Sequence, residues 1–124
     1  MGKPLPATDR SQVESVLQAE RAELEWGLLG TRSELDGVRE ARADASADDE
    51  HDPEGSTLSS DWSRIEGIRT GLQVRLGENG DALARLAAGT YGNCTRCARQ
   101  IGAERLDARP SAALCIDCAR ELQR

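Results

Sequence analysis

From residue 13 onward the apolar side chains Val13, Val16, Leu17, Leu24, Leu28, Leu35 and Val38 recur mostly at steps of three, four and seven. That spacing puts them on one face of a helix, with Thr8 or Asp9 as the N-cap. Glu20 and Thr31 interrupt the stripe, and Gly27, Gly30 and Gly37 each weaken a helix interior by roughly 1 kcal/mol. From Asp44 to Glu54 there are six acids, no Lys or Arg, and Pro53, which disfavours helix at His51 and Asp52, so the stretch reads as a turn. A second stripe follows at Leu58, Trp62, Ile65, Leu72, Leu76, Leu83 and Leu86, with Ser56, Thr57 or Ser59 as its cap and Gly67, Gly71, Gly77 and Gly80 within it.

Two amphipathic helices joined by a polar turn can bury their stripes only against each other or against a partner. The expected fold is therefore mostly α, a long antiparallel coiled-coil hairpin ahead of a small C-terminal module. Residues 1–8 read as a leader, 9–90 as the hairpin with an acidic tip near 44–57, and 91–124 as the module. On periodicity alone, a spacer or homodimerising coiled coil fits as well as an arm that probes a partner. Trp62 and Trp26 read as packing between helices, with Trp26 equally suited to a partner surface.

Composition changes this picture in one respect. Among 124 residues there are no Phe, one Met and twelve Gly, too little material for a large globular core, so stability must come from elsewhere. Charge changes it in another: 16 basic against 22 acidic residues give a net charge of -6, a poor match to the basic footprint of a nucleic-acid binder. The excess is uneven, since residues 1–90 carry 10 basic and 18 acidic side chains and residues 91–124 carry 6 and 4. Neither a membrane-spanning apolar run nor a basic-then-apolar signal segment occurs, so a soluble, cytoplasmic protein without membrane contact is expected.

The missing source of stability is visible in the cysteines. Cys94-Thr-Arg-Cys97 and Cys115-Ile-Asp-Cys118 are two pairs separated by seventeen residues, a spacing that lets two knuckles close on one zinc ion. Disulfides fit poorly with a cytosolic chain, and a redox pair fits poorly without a strand–helix–strand pattern around it. All four Cys are used and the single His, His51, lies far off in the turn, which leaves no open coordination position. One structural Zn2+ and no enzymatic activity are expected. Between the pairs, Gln100 to Arg105 reads as a short hairpin, Arg109-Pro110 as a turn, and Cys115 to Gln123 as helix.

The residues around those cysteines carry more than the metal. Gly89-Thr-Tyr91-Gly92-Asn-Cys94, Ile101, Arg105-Leu106-Asp-Ala108-Arg109-Pro110 and Leu114-Cys115-Ile116-Asp117-Cys118 resemble the DksA/TraR zinc-finger family, and the acidic turn with Asp52-Pro53 agrees with it in architecture. The resemblance implies a bacterial transcription regulator that binds RNA polymerase directly and inserts the coiled-coil tip through the secondary channel, without binding promoter DNA. It assigns partner contacts at the tip to Asp48, Asp49, Glu50, Asp52 and Glu54, and at the base to Arg105 and Arg109. Gly55 and Thr57 stand where longer members carry a second Asp and an Ala. Members that respond to ppGpp pair an Arg matching Arg109 with two lysines, whose places here hold Glu78 and Ala119, so ppGpp binding is not expected. A monomer is expected. The competing reading is a zinc-stabilised coiled-coil adaptor or dimerisation protein that does not bind polymerase.

Overall fold

A computed structural model describes residues 7–48 and 53–123. Two long helices, α1 (Ala7–Asp48) and α2 (Pro53–Ala88), are followed by two short ones, α3 (Ala103–Ala108) and α4 (Ile116–Leu122). α1 begins ahead of the expected caps, with Asp9 in its first turn, where a carboxylate faces the positive end of the helix dipole. α2 also begins earlier than expected, at Pro53. Proline lacks an N–H that the first turn would leave unbonded, so it opens a helix as readily as it ends one. Among the described residues, no helix is long and apolar enough to cross a membrane.

The chain divides into two compact units, one made of residues 1–22 with 76–124 and the other of residues 23–75. In the first, Leu17, Ala82, Leu86 and Tyr91 form a buried cluster, with Val13, Leu83 and Leu106 packed against it. α2 stops at Gly89, whose φ of +81° suits glycine. The Thr90 amide then turns back to the Arg85 carbonyl at 2.9 Å, satisfying a carbonyl the helix end would leave bare. In the second unit Leu24, Thr31, Leu35 and Ile65 are buried. Thr31 tolerates that position because its hydroxyl donates to the Leu28 carbonyl at 2.8 Å.

In each unit the two helices run antiparallel. Asn79 meets Leu17 and Glu20 in the first, while Arg39 and Arg42 meet Trp62 in the second. The guanidinium carbons of those arginines lie 5.7 and 5.8 Å from the Trp62 ring centre, and Arg42 also donates to Ser59 at 2.7 Å. The half-buried Trp62 thus packs with cations over its ring, whereas Trp26 is 78 % exposed and belongs to the surface.

Among the described helix glycines, one stands close to a neighbouring side chain and the others do not. A Cβ at Gly27 would stand 3.2 Å from Leu72 Cδ1, whereas at Gly30, Gly37, Gly67, Gly71, Gly77 and Gly80 it would meet nothing within 4 Å. Gly30→Ala and Gly71→Ala are each expected to stabilise the zinc-loaded protein by roughly 0.5–1 kcal/mol. Gly27→Ala should gain less or lose, because Leu72 must give way. Urea unfolding followed by helical circular dichroism measures all three.

Candidate metal centre

The first cysteine pair sits on a knuckle just after α2. Cys94 donates its amide to the Arg99 carbonyl at 2.7 Å, and Ala98 donates to the Cys94 carbonyl at 2.9 Å, folding the backbone around the sulfurs. Ala98 has a φ of +65°, which a side chain adopts only against its preference. The second pair straddles the start of α4. Cys115 is its N-cap, with Sγ 3.5 Å from the Cys118 amide, so the cap that orders the helix is itself a ligand candidate.

Between the pairs, residues expected to form a hairpin do otherwise. Asn93 and Gln100 make a single antiparallel bridge, Gly102 turns the chain at a φ of +100°, and Ala103-Glu-Arg-Leu-Asp-Ala108 closes into α3. That hexapeptide is rich in helix formers and has no β-branched residue, so the helix wins over the strand once the glycine has reversed direction. Thr95 donates its amide to the Ala113 carbonyl at 2.9 Å, tying the first knuckle to the loop that leads into the second.

These elements bring Cys94, Cys97, Cys115 and Cys118 together. All four sulfurs lie within 4.8 Å of one another, and no disulfide joins them. The Cys97 and Cys115 sulfurs are 3.7 Å apart. A tetrahedron with zinc–sulfur bonds of ~2.3 Å has edges of ~3.8 Å, so the cluster has the size of a zinc site. Burial resists charge on Cys94, but amide hydrogen bonds from Cys115, Cys97 and Arg96 outweigh it and hold that thiol at about 6. Burial first, and then hydrogen bonding among the four thiols, pushes Cys118 up to about 12. A dication reverses that resistance by attracting all four thiolates at once. With four protein ligands and no vacancy, the centre holds one structural zinc.

The ligands are also the core. Cys94, Cys115 and Cys118 are buried with Ile101 and Ala112, and Cys97, Leu106 and Leu114 pack against them. Outside lies an exposed ion pair, Arg96 to Glu121 at 2.6 Å, which links the first knuckle to α4.

The residues expected at the base have definite places. Arg105 is half-buried and donates through Nε to the Leu114 carbonyl at 2.8 Å, so part of its guanidinium is built into the module. Arg109 is exposed and lies 3.7 Å from the Glu78 carboxylate on α2. At the tip, Asp49, Glu50 and Asp52, with His51, fall outside the described residues. Asp48 ends α1 and Glu54 lies in the first turn of α2, and the orientations of their side chains are likewise outside the described part.

Sequence reading missed Asn79. It is fully buried in α2 and donates to the Leu17 carbonyl and to Glu20 Oε1, both at 2.9 Å. The available signal was the gap in the second stripe, where alternating steps of three and four from Leu72 and Leu76 land on residue 79.

A four-cysteine zinc finger joined to a pair of long antiparallel helices defines the class. Residues 89–124 match the model of the prokaryotic dksA/traR C4-type zinc finger. The likeness to that family is thus carried by the C-terminal module, residues 89–124. It is 47% identical over 38 residues to the RNA polymerase-binding transcription factor DksA of Buchnera aphidicola from Schizaphis graminum, covering 31% of this chain and 25% of that one. It is 50% identical over 36 residues to the protein of the same description from Haemophilus influenzae, covering 29% and 25%. The matched segment thus spans about a quarter of the length of these curated relatives. The fold is similar to that of transcription factor DksA2 from Pseudomonas aeruginosa, with a TM-score of 0.77 and 23% identity over 94% of this chain and 84% of that one.

Two outcomes test the centre. The purified protein should carry one equivalent of zinc per chain by metal analysis, and chelation should melt residues 91–123, seen as lost amide protection there. Ala98→Gly should keep that stoichiometry and raise the stability of the zinc-loaded protein by about 1 kcal/mol in urea unfolding, since glycine accepts the left-handed backbone without strain.

Proposed function

We propose that this chain is a cytoplasmic, non-catalytic transcription regulator that binds RNA polymerase directly, with the helical arm entering the secondary channel and the zinc module remaining outside as its base. The observation that carries the reading is the match of the zinc module, 47 to 50% identical over 36 to 38 residues, to proteins described as RNA polymerase-binding. The charge distribution supports it. Residues 1–90 hold 18 of the 22 acids, and an acidic arm is attracted to a basic channel at long range, which raises the rate of encounter. Trp26 and Leu29, 78 % and 59 % exposed on α1, add apolar surface of the kind that anchors protein–protein contacts.

In this reading the tip acids Asp48, Asp49, Glu50, Asp52 and Glu54 act near the catalytic centre of the polymerase, and Arg105 and Arg109 contact the rim. The protein acts as a monomer and makes no sequence-specific contact with DNA. The alarmone ppGpp is not a ligand: Arg109 faces the Glu78 carboxylate at 3.7 Å, so a polyphosphate approaching that arginine meets a negative charge, and Ala119 supplies no compensating cation.

Co-purification with core RNA polymerase and a transcription assay test the reading. Micromolar protein should bind polymerase and change transcription, more weakly as salt rises. Asp52→Ala and Asp49→Ala should each abolish most of the change in transcription while altering binding by less than about threefold, because a tip acid adds little to total affinity. Adding ppGpp should leave the wild-type response unchanged. A protein that ignores polymerase at micromolar concentration belongs to the adaptor class instead.

A further inference from the structure

In the first unit the buried Asn79 and the half-buried Glu20 and Ser111 form one connected chain of polar contacts. Asn79 donates from Nδ2 to the Leu17 carbonyl and to Glu20 Oε1, and the same Glu20 oxygen accepts from the Ser111 hydroxyl. Asn79 Oδ1 is buried without a partner, so the amide is held from its nitrogen side alone. Sliding α2 along α1 would carry Asn79 away from both acceptors and leave its amide buried and unsatisfied, a larger penalty than the bonds are worth when made. A polar residue at such a position selects one register at some expense of stability.

Ser111 ties this selection to the metal. It lies in the loop 110–114, where the carbonyls of Pro110, Ala112, Ala113 and Leu114 are each held. Tyr91 Oη donates to Pro110 at 2.8 Å, Arg85 to Ala112 at 3.4 Å, the Thr95 amide to Ala113 at 2.9 Å, and Arg105 Nε to Leu114 at 2.8 Å. The next residue is the ligand Cys115. Thr95, which grips Ala113, follows the ligand Cys94. The loop is thus clamped at its far end by the zinc ligands, and its serine reaches α1 from there.

We propose that Ser111, Glu20 and Asn79 form a latch through which zinc bound at Cys115 and Cys94 fixes the pairing register of α1 and α2. When the metal leaves and residues 91–123 melt, the grips of Thr95, Arg105 and Tyr91 on this loop go with it, the 3.4 Å contact from Arg85 on α2 is what remains, Ser111 withdraws, and Glu20 turns to water for the lost donor. Asn79 then loses one of its two acceptors, and the polar preference for this register weakens. The coupling runs through chain held by hydrogen bonds on both sides and needs no contact between the metal and either long helix.

Hydrogen exchange of the full-length protein, zinc-loaded and chelated, tests the latch on the amides of residues 13–22 and 76–86. Chelation of the wild type should accelerate their exchange. Ser111→Ala should still bind one zinc and, with zinc present, accelerate the same amides by about fivefold, the scale of one buried hydrogen bond. Asn79→Leu, which replaces the polar determinant by an apolar one, should slow them and shrink the acceleration that chelation produces to the part due to Tyr91 and Leu106 leaving the cluster of Leu17, Ala82 and Leu86. Wild-type exchange in zinc-loaded Ser111→Ala would overturn the latch, and so would chelation accelerating the Asn79→Leu variant as much as the wild type. The Ser111→Ala comparison decides the matter even where chelation unfolds the whole first unit, since zinc stays bound in it.

Discussion

Four sulfurs within 4.8 Å of one another make a cluster that the chain cannot hold together unaided. Protonated, the thiols offer one another only weak hydrogen bonds, and ionised, they repel. A dication at their centre turns both situations into attraction, and the module depends on that change of sign. Three of the five buried residues of its core are themselves ligands, so there is no separate hydrophobic core to survive loss of the metal. Metal binding and folding are one event here, as expected for a segment with so little apolar surface.

The consequences run outward from the cluster through hydrogen bonds rather than through packing volume. Thr95, Arg105, Arg85 and Tyr91 fix the Ala113, Leu114, Ala112 and Pro110 carbonyls of the loop ahead of Cys115. Arg85 and Tyr91 also belong to the end of α2 and the turn beyond it, so the ends of the long helices and the module pack as one unit. The unit of residues 23–75 is built differently. Among its described residues the buried ones are three aliphatics and a threonine that satisfies itself on its own helix, and an arginine-flanked tryptophan packs beside them. Its glycines at 30, 37, 67 and 71 contact nothing that requires them. Internal stability should therefore be lower there, with opening of its helices easier than opening of the zinc-clamped unit.

How far this was legible depends on whether a residue's type announces its place. Two Cys-x-x-Cys pairs announce a metal at any distance, because few other uses of four cysteines fit that spacing. The apolar stripes of both helices were equally plain, except that Val16, read into the first, is 50 % exposed. Glu20, Thr31 and Asn79 were not, since a polar residue in a stripe reads as an interruption until its partner is known. Those partners lie 59 to 91 residues away, or in a backbone carbonyl that has no sequence signature. The segment between the cysteine pairs misled for another reason: a six-residue helix has no periodicity to display, and the left-handed turn at Gly102 that sets its direction is compatible with a hairpin as well. Pro53 was ambiguous in principle, because the same ring that breaks a helix interior is favoured at a helix start.

Stability and specificity pull apart in this design. An apolar residue in place of Asn79 would bury more surface and strengthen the pairing of α1 and α2, as alanines in place of the open glycines would strengthen each helix. The sequence has neither. For a coiled coil that acted as a spacer, register would matter little, and the buried amide with its unpartnered oxygen would be a defect. For an arm that works by presenting a few acidic side chains at one end to a partner, slippage of one helix against the other would displace those side chains relative to the base that docks it. Register is then the property worth keeping at the expense of stability, and a polar contact that rejects alternative pairings supplies it where a continuous apolar seam would not. The buried Asn79, more than the zinc, is thus the feature that an arm of the proposed kind needs and a spacer does not.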